Sequence, residues 1–258
     1  MMMVNKPQSL LKVMLLLFFL GSSTGCASLF SPDTQDRMHV VSGFDANLLE
    51  VDDTLTPDPE VVAFIEGYAI ELNRIMNRRI TVSRGVIERG QPESPLGNLT
   101  ADILRFMSAR ELGQEVDIAI LNRGGLRIPI PEGDVTVGTM FELMPFENYI
   151  TLLRFDGRQI MQLAQELAEE GGEPVSGLRM RIADGRPTDL LINDDRVRPE
   201  RSYWIATNNW LADGGGPLPT LWQPRERINT DVLIRDAFIE YLNTQPYIEP
   251  HTDGRIRR

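Results

Sequence analysis

The chain has 258 residues, of which 42% are apolar, and a formal net charge of −11 at pH 7. This length and composition suffice for one sizeable hydrophobic core. The acidic balance excludes a broad nucleic-acid-binding surface, because such a surface needs clustered basic residues to neutralise phosphates.

The first 25 residues have the pattern of an export signal. Lys6 and Lys12 supply positive charge, and an apolar run over residues 13–20 leads into small residues that end at Cys26. The run is shorter than the roughly 20 residues of a membrane-spanning helix, which favours a cleaved signal peptide. The Ser-Thr-Gly-Cys ending resembles a bacterial lipobox, which implies cleavage before Cys26 and acylation of its thiol. The alternative, an ordinary signal peptide, would leave this single cysteine as an unexplained thiol.

Lipidation would make Cys26 the membrane anchor of the chain. Each buried methylene contributes about 0.8 kcal/mol, so several acyl chains make the attachment effectively permanent. By resemblance to other lipoproteins, Ala27 favours the outer membrane facing the periplasm, since an aspartate there commonly signals inner-membrane retention. Residues 26–58 are rich in proline, aspartate and serine and are predicted to be a tether.

Residues 59–258 are predicted to form one α+β domain with a mixed β-sheet and packed helices. Apolar residues at spacings of three and four predict helices from Pro59 and over 95–111, 157–170 and 230–243. Ser94 and Pro95 mark the start of the second helix. Its predicted buried stripe consists of Leu96, Leu99, Ile103, Phe106 and Met107. Short apolar runs predict strands at 80–82, 117–121, 135–137, 150–155, 178–182, 189–192 and 202–207.

Four segments carry residue types that suit ligand binding. They are 93–102 (ESPLGNLTAD), 122–127 (NRGGLR), 144–148 (MPFEN) and 207–216 (TNNWLADGGG). Taken singly, paired glycines after a strand most often permit a tight turn, and a lone phenylalanine such as Phe146 most often lies in a core. Trp210 is harder to assign to a core, because the three glycines beside it provide little cover for an indole.

In this order the four segments resemble the C-terminal domain of the 5'-nucleotidase / UDP-sugar hydrolase family. That domain typically reads E-S-N-L-G-N-L-x-A-D, N-G-G-G-I-R, L-P-F-x-N and T-N-x-[YF]-L-A-x-G-G-D-G. The closing Asp253-Gly254-Arg255-Ile256 also resembles the end of the family. The resemblance spans roughly residues 81–256 and implies a fold like that of the 5'-nucleotidase C-terminal domain.

The resemblance implies a nucleotide or nucleoside ligand. Phe146 and Trp210 match the two aromatic rings that clamp the base in the family, and such stacking contributes about 1–3 kcal/mol per base. Asn122 and Arg127 match residues that contact the substrate, a role that suits arginine because its planar donor fork stays charged. The alternative for Arg127 is an ordinary surface ion pair. Arg89, next to the position of another family arginine, is predicted to substitute for it.

Several positions depart from the family pattern, among them Pro217 and Leu218 in place of a glycine and an aromatic. Three further departures bear on the ligand. Arg123 replaces a glycine and is expected to place a cation beside the pocket. Gly216 stands where the family has the aspartate that holds the ribose hydroxyls. Gly90 stands where the family has the arginine for which Arg89 is expected to substitute. Base stacking is therefore better supported than ribose recognition.

The sequence contains no catalytic or metal-binding motif that we recognise. Family members hydrolyse phosphate esters with two metal ions held in an N-terminal domain, a chemistry that needs several converging histidines and acids. The only histidines here are His39 in the predicted tether and His251 near the end, and a nucleophile elbow and a phosphate-binding loop are also absent. We therefore expect no catalytic residues and no cofactor in this chain, and divalent metals only in a separate partner.

Three functions are compatible with this pattern. The chain could be the substrate-binding half of a split nucleotidase whose partner is a metallophosphoesterase chain. It could be an independent nucleotide- or nucleoside-binding lipoprotein for scavenging or sensing. It could be an envelope scaffold that has lost its ligand, a reading for which Gly216 is the main indication. In each case we expect no nucleotide hydrolysis by this chain alone.

Overall fold

A five-stranded sheet organises the described chain, which comprises Asp52 and residues 54–258 of a computed structural model. The predicted signal peptide, Cys26, His39 and most of the predicted tether lie outside the described residues. Residues 57–258 form one compact unit. Its helices are α1 (Pro59–Met76), α2 (Pro95–Leu112), α3 (Val137–Leu143), α4 (Gly157–Glu169), α5 (Asn209–Ala212) and α6 (Ile234–Asn243). Its strands are β1 (Arg79–Ser83), β2 (Ile118–Ile120), β3 (Gly133–Thr136), β4 (Tyr149–Asp156), β5 (Val175–Ser176), β6 (Leu178–Ala183), β7 (Arg186–Ile192), β8 (Asp195–Arg196), β9 (Ser202–Asn208), β10 (Glu226–Leu233) and β11 (Ile256–Arg257).

The central sheet is mixed, which confirms the predicted α+β class. Its strand order is β10-β4-β9-β2-β5. Strands β2 and β9 run parallel, whereas the other neighbours pair antiparallel. Two smaller sheets, with strand orders β1-β3 and β11-β6-β7-β8, complete the described fold.

Both faces of the central sheet are buried along its inner strands β4, β9 and β2, whereas no residue of the edge strand β10 is buried. Alternate side chains of a strand point to opposite faces, so Ala119 joins one core while Ile118 and Ile120 join the other. Helices α2, α3 and α6 cover the first face, and α4 covers the second. On these inner strands, the ends and the loops that follow them are the parts that remain accessible to a ligand.

Three sequence predictions were wrong in detail. Residues 230–233 continue strand β10 and helix α6 begins only at Ile234, because Asn229 pairs with Thr151 on β4 and extends the sheet. Val137 starts α3 and does not end the preceding strand, since Thr136 caps this helix by accepting a hydrogen bond from the Thr139 N–H. Phe106 is 53% exposed and packs edge-on against Tyr241 outside the buried stripe of α2.

Helix α1 begins at Pro59 as predicted. The Asp58 carboxylate caps it by accepting a hydrogen bond from the Glu60 N–H at 2.8 Å. In contrast to α2, none of its residues is buried. Within the described residues, no helix combines the length and the apolar character needed to cross a membrane.

Candidate functional site

The strand order brings three of the four segments to one edge of the central sheet. Ala119 on β2 pairs in parallel with Ala206 on β9, so the loops that follow these strands leave at the same edge. Ile150 on β4 pairs antiparallel with Asn208, which places the loop before β4 at that edge too. Ligands of open α/β sheets commonly bind beyond the carboxyl ends of parallel strands.

A cavity of about 350 Å³ lies at this edge. Phe146 and Trp210 are 50% and 46% exposed, so neither ring is lost in the interior. The volume falls within the roughly 300–1,000 Å³ that is typical of small-molecule sites. The residues that line the cavity are Asn122, Gly124, Arg127, Phe146, Asn148 and Trp210.

Trp210 is positioned by the short helix α5 and by the glycines that follow it. The side chain of Asn208 caps α5 by accepting a hydrogen bond from the Leu211 N–H at 2.7 Å. The chain then turns back, and the Gly215 N–H donates to the Trp210 carbonyl at 2.8 Å. The indole therefore lies against the bare backbone of Gly215.

Asn122 is fixed by a partner on the neighbouring strand. The Nδ2 atom of buried Asn208 donates a hydrogen bond to Asn122 Oδ1 at 2.9 Å. The Asn122 amide lies over Gly125, where a Cβ atom would approach it to 3.1 Å. This close approach explains a glycine at position 125, and the amide link joins the loop after β2 to the turn after β9.

Arg127 follows β2 and Arg89 lies between β1 and α2, and the two side chains face different groups. Arg127 lines the cavity, with its guanidinium carbon 6.0 Å from the centre of the Phe146 ring and its Nη1 donating to the Gly124 carbonyl at 3.0 Å. Arg89 Nη1 donates to the Arg127 carbonyl at 3.0 Å, and Arg89 is not among the residues that line the cavity. The contacts of Arg89 thus hold the loop that carries Arg127.

Arg123, which was expected to add a cation beside the pocket, is not among the residues that line the cavity. Its guanidinium Nη1 donates to the Gly172 carbonyl at 3.3 Å, and its backbone N–H donates to Glu173 Oε2 at 2.6 Å. Burial raises the pKa of the Glu173 carboxyl, and the Arg123 N–H and charge offset only part of that rise. The long side chain therefore ties the loop to the segment after α4.

The first segment, residues 93–102, supports the fold away from the cavity. Glu93 Oε1 accepts a hydrogen bond from Asn98 and from the backbone N–H groups of Asp253 and Gly254. Buried Arg255 pairs with Asp102 at 2.8 Å and with Asp253 at 3.0 Å. Burial by itself would raise the pKa of Asp253, but Arg255 and Arg179 outweigh it and lower that pKa. The segment thus binds the C-terminal end of the chain through these hydrogen bonds and ion pairs.

Two asparagines and a buried arginine at the site were not predicted. Asn148 lines the cavity beside Phe146, and its place in the M-P-F-E-N segment was the available signal. Asn208 has the capping and linking roles described above. Arg235 is 7% exposed, lies 3.8 Å from the centre of the Phe141 ring and donates to the Met144 carbonyl at 3.1 Å, which supports the loop before Phe146. Its position after β10 gave no sequence signal.

The described residues do not fit a metal centre. In this part of the chain, no group of three or more histidine, cysteine, aspartate or glutamate side chains could hold a metal ion. The two acids that meet at the C-terminal end, Asp102 and Asp253, are held by Arg255. We therefore derive no metal-dependent step from these residues.

Comparisons with known proteins match the chain to the domain that its four segments resemble. The family described as "5'-nucleotidase, C-terminal domain" matches residues 74–223. A 5'-nucleotidase of Vibrio parahaemolyticus is 23% identical over 209 residues, covering 77% of this chain and 36% of that protein. The trifunctional nucleotide phosphoesterase protein YfkN of Bacillus subtilis is 27% identical over 247 residues, covering 86% of this chain and 17% of that protein.

Solved structures of nucleotidases contain a part with the same fold as this chain. The crystal structure of a 5'-nucleotidase precursor from Thermus thermophilus matches with a TM-score of 0.66 and 25% identity, over 78% of this chain and 44% of that one. The NAD nucleotidase NadN of Haemophilus influenzae matches with a TM-score of 0.61 and 19% identity, over 78% of this chain and 41% of that one. The chain spans less than half the length of each of these four relatives. By the family match over more than half of its residues, this chain belongs to the 5'-nucleotidase C-terminal domain family.

Proposed function

We propose that the domain binds a nucleotide or nucleoside with the base between Phe146 and Trp210. The observation that carries this proposal is the cavity of about 350 Å³ with both half-exposed rings in its wall. Membership of the 5'-nucleotidase C-terminal domain family supports a nucleotide-related ligand. Every base has a π-face, so stacking holds any of them.

The polar residues of the cavity supply the remaining contacts in this proposal. Arg127 offers a charged donor fork at the side of Phe146, which suits a phosphate or a base carbonyl. The amides of Asn122 and Asn148 can each donate and accept hydrogen bonds. Gly216 has no side chain and so offers no carboxylate to the ribose hydroxyls. In this proposal the affinity comes from contacts with the base and with the charged part of the ligand.

Calorimetry on the purified chain tests the proposal, with adenosine, AMP and a UDP-sugar as probes. Replacing Phe146 or Trp210 by alanine should each weaken binding about 5- to 150-fold, which corresponds to the roughly 1–3 kcal/mol of one stacked base. Phe106→Ala is the matched control, since its side chain is about half exposed and does not line the cavity. Absence of binding by the unmodified chain at millimolar ligand contradicts the proposal.

We further propose that the domain supplies substrate recognition to a separate metallophosphoesterase chain, which supplies the metal ions. The support is the family of this domain together with the poor fit of its described residues to a metal centre. The test is to mix the chain with an exported metallophosphoesterase encoded beside its gene and to measure AMP hydrolysis. A gain in hydrolysis that Trp210→Ala removes supports a split nucleotidase. Ligand binding with no gain leaves an independent binding protein, and AMP hydrolysis by this chain alone contradicts both.

The same proposal places the domain on the outer membrane, facing the periplasm, through acylation of Cys26. The support is the lipobox-like ending of the apolar run in residues 13–25. Metabolic labelling with a palmitate analogue followed by membrane fractionation tests it. Cys26→Ser should abolish the label and release the chain from the membrane fraction. Labelling that persists in Cys26→Ser contradicts an anchor at this residue.

A further inference from the structure

Helix α1 carries an apolar face that the described residues leave uncovered. The side chains of this face are between 43% and 70% exposed, although all are large and hydrophobic. Large contiguous apolar patches are rare on monomers and mark interaction sites. The residues of this face, called here the α1 face, are Val61, Phe64, Ile65, Tyr68, Leu72 and Ile75.

The spacing of the α1 face is that of a helix-pairing seam. Val61, Ile65, Tyr68, Leu72 and Ile75 follow one another at intervals of four, three, four and three residues. This alternation is the heptad pattern by which one helix packs along another. The half-buried Ala69 and Met76, seven residues apart, occupy the neighbouring side of α1. In the described part of the chain, the α1 face therefore lies beside the contact with the domain and is left open to a second helix.

The charges along α1 select an antiparallel partner with the same sequence. The first half of the helix and its cap carry Asp58, Glu60 and Glu66. The last turn carries Arg74, which pairs with Glu71 at 2.7 Å. Arg78 and Arg79 follow the helix, and Arg79 pairs with Asp134 at 3.4 Å. Two copies in opposite directions about Tyr68 bring Asp58 of one copy opposite Arg78 of the other. They also oppose their helix dipoles favourably. Two parallel copies would place like charges together.

The area of the α1 face suits a helix pair. A helix of 18 residues is about 27 Å long. Two such faces bury on the order of 1,000 Å² when they pack together, which is close to the lower bound of specific interfaces. A lipid surface fits less well, because membrane-binding helices carry lysine or arginine on the polar side. The polar side of α1 carries Glu60, Glu71 and Arg74, the last two joined by an ion pair of 2.7 Å.

We infer that the α1 face binds the same face of a second copy of this chain, as an antiparallel helix pair centred near Tyr68. The inference is independent of the ligand site, since no residue of the α1 face lines the cavity. In a membrane-anchored protein, such pairing would set two ligand-binding domains on one assembly.

Sedimentation equilibrium of the full chain carrying Cys26→Ser, in mild detergent and over a concentration series, tests the inference. The expected mass approaches twice the 29.1 kDa of the chain at the higher concentrations. Leu72→Glu should abolish the dimer, because it would bury an unpaired carboxylate in the seam. Ile70→Glu is the matched control, since Ile70 is 73% exposed on the same helix but outside the α1 face. It should leave the dimer intact. A monomer at every concentration, or equal effects of the two variants, overturns the inference.

Cysteine cross-linking tests the direction of the pair. Cys26 is the only cysteine, so the Cys26→Ser chain accepts a single new thiol. Tyr68→Cys, at the centre of the α1 face, should form a disulfide-linked dimer under mild oxidation. Val61→Cys, at one end, should not, because its counterpart lies at the far end of an antiparallel pair. Efficient linkage through Val61→Cys overturns the antiparallel arrangement whether or not Tyr68→Cys also links, because equivalent positions meet along a parallel pair. Absence of linkage through Tyr68→Cys overturns a pair centred at that residue.

Discussion

The indole of Trp210 lies so close to Gly215 that a Cβ atom at position 215 would come within 2.2 Å of the ring atom Cε2. Real side chains do not tolerate such a distance, and a ring held by a short helix cannot simply swing aside. The glycine therefore sets the position of the ring, and the open face of Trp210 remains for a ligand.

Gly215→Ala is expected to weaken nucleotide binding at least tenfold, because the methyl group displaces the indole from its position in the cavity wall. The fold should persist, since the turn lies at the surface. Calorimetry with AMP measures the affinity, and far-UV circular dichroism measures whether the fold persists. Gly67→Ala is the control, as a Cβ atom at position 67 meets no atom within 4 Å. Unchanged affinity in Gly215→Ala would show that the ring position does not matter for the ligand.

The two hydrogen bonds of Asn208 are expected to have different effects. The bond to Leu211 stabilises α5, and the bond to Asn122 also supports nucleotide affinity. Asn208→Ala loses the cap of α5 and the bond to Asn122, and should lower the free energy of unfolding by about 1–3 kcal/mol. Asn208→Ser can still cap the helix but is too short to reach Asn122. It should recover part of the stability and none of the lost affinity. Denaturant unfolding and calorimetry on both variants provide the comparison, and full recovery of affinity in Asn208→Ser contradicts the role of the amide link.

Glu173 is expected to give the stability of the domain a pH dependence of known sign. Its pKa is raised in the folded chain from the ordinary 4.5, mainly by burial, so the folded state retains a proton that the unfolded state has released. The contribution of this group to stability therefore falls as the pH rises through the interval between the ordinary and the raised pKa. Glu173→Gln removes the titration and keeps an acceptor for the Arg123 N–H. Wild-type stability relative to Glu173→Gln should decline as the pH rises through that interval, and two parallel stability curves would contradict the assignment.

Arg255 is expected to anchor the end of the chain. Arg255→Met removes the bonds to Asp102 and Asp253 and should cost about 2 kcal/mol of unfolding free energy, as is usual for hydrogen bonds between charged groups. Arg179→Met is the control, because Arg179 is 41% exposed and its ion pair with Asp253 should contribute less than about 1 kcal/mol. Thermal unfolding of both variants measures the difference. Equal losses of unfolding free energy in the two variants would show that the buried ion pairs of Arg255 contribute no more than the surface pair of Arg179.

Local signals in the sequence were enough for much of the secondary structure. Ser94 and Pro95 start α2 because a serine caps the first turn and a proline there lacks only a hydrogen-bond donor that would be unused. The start of α6 was misplaced because Thr230 and Val232 suit a strand as well as a helix, and only pairing with β4 decides between them. That pairing joins residues about 80 positions apart and leaves no local pattern.

The candidate site was only partly accessible from sequence. Phe146, Trp210, Asn122 and Arg127 could be named because motif order survives in the chain, and the structure places all four around one cavity. A ligand contact of Arg89 stays a prediction, and in the structure its guanidinium donates to the Arg127 carbonyl. The Arg123 guanidinium lies 4.0 Å from the Glu173 carboxylate. This contact could not be predicted, because the sequence does not show that Glu173 is buried beside Arg123. Contacts between loops depend on strand order, which residue patterns alone do not specify.

The most direct test of the base-stacking site is a crystal structure of the chain with a bound nucleotide such as AMP. We predict that the base lies between the rings of Phe146 and Trp210, with Arg127 within hydrogen-bonding distance of the ligand. A nucleotide bound elsewhere on the domain, with the gap between the two rings empty, would contradict the account.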